Sequence, residues 1–142
     1  MSREAAVGAL ETLIGNAYAW TTPPSRRLRL WSEVAPEARP IAFLFEGTPE
    51  SYEWSNSLAA KRTIEVKLFV YINAKDPSVI GAALLNGIME ALDAALAPPP
   101  GSPFNTLGGN CQRCFISGTP VKDPGDLDGD GLLIVPVKII LP

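Results

Sequence analysis

The 142-residue sequence contains no histidine and only two cysteines, which removes the commonest groups of enzyme and metal chemistry. Without histidine, a general base would have to be a carboxylate, a lysine, a cysteine or a tyrosine. No nucleophile and base stand together in a recognisable motif. We therefore expect no catalytic residue and no cofactor.

Long apolar runs and strong charge are also missing. No run approaches the roughly 20 residues that a membrane-spanning helix needs, and Met1-Ser2-Arg3-Glu4 lacks the apolar core of a signal peptide. The net charge of −3 is too small to indicate a nucleic-acid or membrane partner. Length and composition predict one soluble, cytoplasmic domain spanning residues 1–142.

Residues 63–97 carry the strongest pattern. Apolar residues alternate with others over 63–73, which predicts a strand with one fully apolar face. From Asp76 to Ala97 the period becomes helical, with Ile80, Leu84 and Ile88 on one stripe. A strand and a helix with matching apolar faces predict a two-layer domain.

The remaining elements follow from shorter patterns. We expect a first helix over residues 3 to about 19, further strands at 25–31, 41–45, 112–121 and 132–141, and a long excursion at 47–60. Leu28 and Leu30 are expected in the core, and Pro136 at an edge or a bulge. Because most strands are consecutive, the predicted fold class is α+β. It has a mainly antiparallel sheet of about four to six strands and two helices, with the main helix, about 76–97, on one face.

Two motifs could carry metal or redox chemistry. Cys111-Gln112-Arg113-Cys114 has redox spacing but stands in a turn and strand, so the alternatives are redox chemistry, a zinc site shared between subunits, or two ordinary reduced thiols. Asp126, Asp128 and Asp130 match the first half of a calcium loop. The twelfth position of that loop is Val137, and a strand follows. The alternative is a solvated acidic turn from Asp123 to Asp130.

Aromatic and basic side chains provide a candidate interface. Trp31, Phe69 and Tyr71 are placed on the sheet face opposite the apolar one, where large aromatics often mark a contact. The alternative is that the 47–60 excursion, with Tyr52 and Trp54, covers them. Arg26, Arg27 and Arg29 could contact phosphate, but a solvated strand face, or pairing with the acidic turn of a neighbour, fits the acidic chain better.

Four segments together resemble tail terminator (tail completion) proteins of long-tailed bacteriophages. They are Ser25–Trp31 with Val34-Ala35-Pro36-Glu37 and Pro40; Val66–Asn73 with Asp76-Pro77; Ala91–Pro98; and Thr106-Leu107-Gly108-Gly109 leading to Ile134–Val137. The resemblance implies a non-enzymatic virion protein, assembled in the host cytoplasm. It would form a hexameric ring on the tail tube, stop tube polymerisation, and offer a surface to a head-completion or connector protein.

The resemblance supplies no catalytic residue. The interface hypothesis assigns the subunit and tube contacts to Arg27, Arg29, Trp31, Tyr52, Trp54, Phe69, Tyr71, Asp123, Asp126, Asp128 and Asp130. An alternative function is a small α+β domain that binds a metal or a ligand through the Asp126–Asp130 turn.

Overall fold

The computed structural model describes residues 1–54, 56 and 59–142. In these residues, two α-helices pack on one face of a six-stranded antiparallel sheet, which confirms the predicted α+β class. The elements are α1 (Arg3–Ala17), β1 (Ile41–Phe45), β2 (Ser51–Glu53), β3 (Lys61–Asn73), α2 (Gly81–Leu96), β4 (Arg113–Ile116), β5 (Val121–Asp123) and β6 (Asp130–Leu141).

The long strands β3 and β6 form the centre of the sheet. They pair from Arg62 opposite Leu141 to Asn73 opposite Asp130. β1 and β2 follow one another along the side of β3 away from β6. β4 and β5 follow one another along the side of β6 away from β3. Along β6 every second residue is fully buried beneath the helices and the residues between them are half-exposed. The two faces of the sheet therefore have different environments.

The helices supply the second layer of the core. Ser2 caps α1 by accepting a hydrogen bond from the amide of Ala5, and Glu4 lies in the first turn. α2 begins at Gly81, not at Asp76, because residues 76–79 form a turn in which the Val79 amide donates to the Asp76 carbonyl. Position 81 requires glycine, since a Cβ there would lie 1.8 Å from the carbonyl oxygen of Pro124. Its buried stripe consists of Gly81, Leu85, Ile88, Leu92 and Leu96. Ile88 of the predicted stripe is therefore confirmed, and Leu84 is half-buried and packs against the core. The prediction of Ile80 in the core is wrong, because Ile80 precedes the helix and is exposed.

The predicted strand at 25–31 is wrong. Only Ser25 joins the sheet, through a parallel bridge to Phe43 on β1. The chain then leaves the edge of β1, and Trp31–Glu33 and Pro36–Ala38 form two 3-10 turns. Leu28 packs against Phe43 and its neighbours, whereas Leu30 is 64% exposed. The short alternation of Leu and Arg did not produce a strand, because this segment packs across the sheet face instead.

The predicted single strand at 112–121 is interrupted. β4 ends at Ile116 and β5 starts at Val121, so residues 117–120 leave the ladder. The interruption lies opposite Pro136, whose carbonyl accepts a hydrogen bond from Ser117 at 3.0 Å. A residue of an antiparallel strand directs its N–H and C=O to the same side. The position of the N–H that Pro136 lacks therefore faces residues 117–120, which have left the ladder. This agrees with the expectation that Pro136 lies at an edge or a bulge.

Candidate interaction surface

The sheet face opposite the helices is covered at one end only. There, the segment with Leu28, Val34 and Ala38 packs on Ile41, Phe43 and Tyr71 in a second small core. Tyr71 is 5% exposed, and its hydroxyl donates to the carbonyl of Arg29. The prediction that Tyr71 faces outward is wrong, because residues 28–38 of the same chain cover it.

Phe69 lies at the border of this cover. It is half-buried and meets the ring of Phe45 edge-on, with the centroids 5.8 Å apart. The alternative that the 47–60 excursion covers the aromatics is also wrong in its described part. β2 of that excursion pairs with β3 near Arg62, at the far end of the strand. Ser55, Ser57 and Leu58, which belong to the same excursion, lie outside the described residues.

Beyond Phe69 the sheet face is open. We call this surface the open face; its side chains are Glu65, Lys67 and Phe69 of β3, Ile134, Pro136, Lys138 and Ile140 of β6, Arg113 and Phe115 of β4, and Val121 of β5. Each is half-exposed or exposed, whereas the alternate residues of β6 are fully buried. The guanidinium of Arg113 stacks 4.3 Å from the ring centroid of Phe115. The open face therefore mixes apolar and charged side chains, with Lys138 between Pro136 and Ile140 along β6.

A buried arginine that the sequence analysis missed fixes the end of the sheet. The side chain of Arg39 is 2% exposed and donates to Asp130 Oδ1 at 2.6 Å. It also donates to the carbonyls of Trp31, Val34 and Ile72. These bonds join the 28–38 cover to both central strands. A lone arginine among apolar segments gave no periodic signal that could have revealed this role.

Contrary to the expectation from the sequence, the four carboxylates of the acidic turn are not all free in solvent. Arg39, and then Lys75 at 3.2 Å, hold the pKa of Asp130 below its ordinary value, although partial burial opposes them. Asp123 and Asp128 are exposed but bond to backbone amides within the turn, those of Gly125 and Asp130. The tip of the turn is formed by Asp126 and by Leu127, which is fully exposed.

The structure brings some of the predicted interface residues together and separates others. Trp31, Asp123, Asp128 and Asp130 line one hollow of about 170 Å³ at the end of the sheet. Tyr52 and Trp54 are exposed at the other end, and the Tyr52 hydroxyl bonds to Arg3. Tyr71 and the Tyr52 partner, Arg62, are nine residues apart on β3, or about 30 Å. One compact site cannot contain both groups.

The arginine cluster is also divided. Arg26 bonds to the carboxylates of Glu4 and Glu46, and these bonds raise its pKa. Arg29 is exposed, with its guanidinium 5.7 Å from the Phe43 ring centroid, and Arg27 is exposed. Only the last two present accessible charge, which is a small basic surface.

The calcium-like motif takes part in an ion pair, and the redox-spaced cysteines are buried. In residues 1–54, 56 and 59–142, no group of three or more acidic or cysteine side chains is arranged to hold a metal ion. Asp130, the third carboxylate of the calcium-like motif, forms ion pairs with Arg39 and Lys75. Both thiols are free and buried in the core, and burial raises the pKa of Cys114 to about 12. Such thiols are poor nucleophiles.

A larger hollow, of about 640 Å³, lies between the helices and is lined mostly by alanine, proline and leucine. Ligand sites usually add a few free polar groups that orient the ligand. Two polar side chains of this hollow, Thr12 and Asn105, already bond to backbone groups. This arrangement does not indicate a particular ligand.

No protein-family model matches the sequence, and a search of curated proteins finds no significant match. Within the described residues, neither helix is long and apolar enough to cross a bilayer.

Proposed function

We propose that this protein is a structural component of a bacteriophage tail. In this proposal it forms a ring, of six copies by resemblance, on the head-proximal end of the tail tube. The ring ends tube polymerisation and offers its other side to a head-completion or connector protein. The observation that carries the proposal is the open face, on which, among the described residues, one half of the long central sheet lacks a second layer.

The physical argument starts from the cost of that surface. Phe69, Ile134 and Ile140 leave apolar area in contact with water, and contiguous exposed apolar area marks interaction sites. Neighbouring Lys67 and Lys138 give the open face the mixed composition of a surface that is exposed before assembly.

A contact between different surfaces of identical copies closes into a ring when its rotation permits. A ring with two unlike sides can then match the end of the tube on one side without copying the tube on the other. Termination requires no chemistry beyond this asymmetry.

The proposal is tested by adding purified protein to growing tail tubes and measuring tube length by electron microscopy. Ile134→Asp places a charge on the open face at a half-exposed position, so the chain should fold but should no longer limit tube length. Ala94→Asp, at an exposed position of α2, introduces the same charge and is the matched control.

The expected result is short, capped tubes with the wild type and the control, and long tubes with Ile134→Asp. Tubes of unlimited length in the presence of folded wild-type protein would contradict the proposed function. If Ile134→Asp still caps tubes at the wild-type concentration, the open face takes no part in ending tube growth.

A further inference from the structure

We propose that the open face binds the acidic turn, residues 123–130, of a second copy of this chain. The inference rests on the ring proposed above and names the two surfaces that join its subunits. It replaces the arginine cluster, expected from the sequence, as the partner of the turn.

The first observation is the charge pattern of the open face. Lys67, Lys138 and Arg113 carry three positive charges there, against one negative charge on Glu65. Pro136 lies directly opposite Lys67 in the register and next to Lys138 along the same face of β6, while Ile140 lies opposite Arg113. Glu65 lies opposite Lys138. The face thus presents an apolar residue, Pro136, between two lysines.

The second observation is the converse pattern on the turn. Leu127 is fully exposed at the tip, with the exposed carboxylates of Asp126 and Asp128 on either side. An exposed leucine between two carboxylates is the complement of an apolar residue between two lysines. Seating Leu127 on Pro136 would bring both carboxylates near Lys67 and Lys138.

The third observation is that the turn lies far from the cations of the open face of its own chain. Lys67 pairs with Pro136, six residues beyond Asp130, or about 20 Å away. The turn ends at Asp130, and Lys138 lies eight residues further along the same extended strand, about 26 Å away. Arg113, at the register of Ile140, is farther still. The contact must therefore join two copies, and because turn and face are different surfaces it is head-to-tail.

Other cations are poorer partners. Arg26 is bonded to Glu4 and Glu46, Arg39 is buried, and Lys75 already bonds to the turn of its own chain. Arg27 and Arg29 remain accessible, with exposed Leu30 and Trp31 beside them, and they are the alternative partner of the turn. The open face differs in carrying its cations on regular strands with half-exposed apolar side chains between them.

The size of the contact explains why a closed assembly is needed. The open face is about three strands wide and seven residues long, or about 15 Å by 23 Å. This is less than the roughly 800 Å² per partner of a stable pairwise interface. Two copies should therefore associate weakly, and closure, which gives every copy two contacts, should stabilise the ring.

Complementary variants test the contact. The turn variant D126K/D128K would set lysines against lysines, and the face variant K67E/K138E would set carboxylates against carboxylates. Each variant alone should be monomeric by light scattering at low salt, with self-association at least about tenfold weaker than wild type. In an equimolar mixture every contact joins opposite charges, so the mixture should assemble again. Recovery also shows that both variants are folded.

A third variant, R27E/R29E, tests the arginine cluster and should assemble as the wild type does. Because the contact is electrostatic, assembly of the wild type should weaken as salt rises from 50 mM to 500 mM.

The proposal is overturned if either variant assembles alone as the wild type does, or if the folded variants do not assemble when mixed. It is also overturned if R27E/R29E is the only variant that dissociates. A wild type that remains monomeric at all concentrations excludes this contact, whereas the tube-length assay decides the tail function separately. If the wild type caps tubes but the mixed charge variants do not assemble, the tail function stands and only this contact is excluded.

Discussion

Replacing Asp130 with asparagine should destabilise the protein by removing the charge that compensates buried Arg39. Breaking a buried ion pair typically costs about 3–5 kcal/mol. Asparagine keeps an oxygen that can accept from Arg39, and the side chain of Asp130 is 13% exposed, so water can partly replace the lost charge. We therefore expect a loss of about 2 kcal/mol in the free energy of unfolding. For a chain of this size, that corresponds to about 6–8 °C in Tm.

Urea unfolding followed by circular dichroism at pH 7 measures this loss. Asp126→Asn is the matched control, because it makes the same chemical change at an exposed position of the same turn. The control should change the free energy of unfolding by less than about 0.5 kcal/mol. Equal effects of the two substitutions would refute the role assigned to Arg39.

The pH dependence gives a second measurement of the same pair. Arg39 and Lys75 lower the pKa of Asp130 in the folded state, whereas the unfolded chain has a value near about 3.9. The stabilisation is therefore complete above the unfolded pKa and is lost as the pH falls through the folded pKa. The difference between wild type and Asp130→Asn should persist from pH 5 to 8 and shrink below the folded pKa. A difference that stays constant down to pH 2 would contradict this assignment.

Four further outcomes follow from burial. Leu85→Ala should lower the free energy of unfolding by about 2–5 kcal/mol in urea titration. The loss should exceed that of Leu84→Ala, since of the two only Leu85 is fully buried. A larger loss for Leu84→Ala would show that Leu84 is the more deeply packed residue. Tyr71→Phe removes only the hydroxyl bond to Arg29 and should cost about 1 kcal/mol in the same assay. Tyr71→Asp should unfold the 28–38 cover, which proteolysis would detect; a protease-resistant Tyr71→Asp variant would contradict this. Cys111 and Cys114 should resist alkylation at pH 8 unless urea is added, because both are buried and their pKa values are raised; rapid labelling of the folded protein would show accessible thiols.

Local periodicity was sufficient for the elements that bury a regular face. The alternation from Thr63 to Asn73 predicted β3 because the helices cover every second residue of that strand. The main helix was predicted as well, and Ile88 is buried as expected, but the helix was started too early, so Ile80 was placed in the core. The close approach of Gly81 to Pro124 joins residues that are far apart in sequence and gives no periodic signal.

The candidate surface could be predicted only in part, for the same reason. Trp31 and the acidic turn were chosen from composition, and the structure does place them around one hollow. Their connection runs through Arg39, whose partners span Trp31 to Asp130. The covering of Tyr71 was missed because the 28–38 segment has no regular period. Irregular segments are positioned by tertiary contacts, which a single sequence does not display.

The interruption opposite Pro136 also limits how copies of this protein can join. Exposed strand edges invite pairing with other chains, and uncontrolled pairing leads to fibres. On one side of the sheet, β4 and β5 offer ladders of only four and three residues, separated by the bulge. On the other side, Ser25 bonds to Ala42 and Leu44 along the outer edge of β1. With both borders blunted, the sheet is a poor template for edge-to-edge growth, and association is directed to its faces, where side chains determine when growth stops.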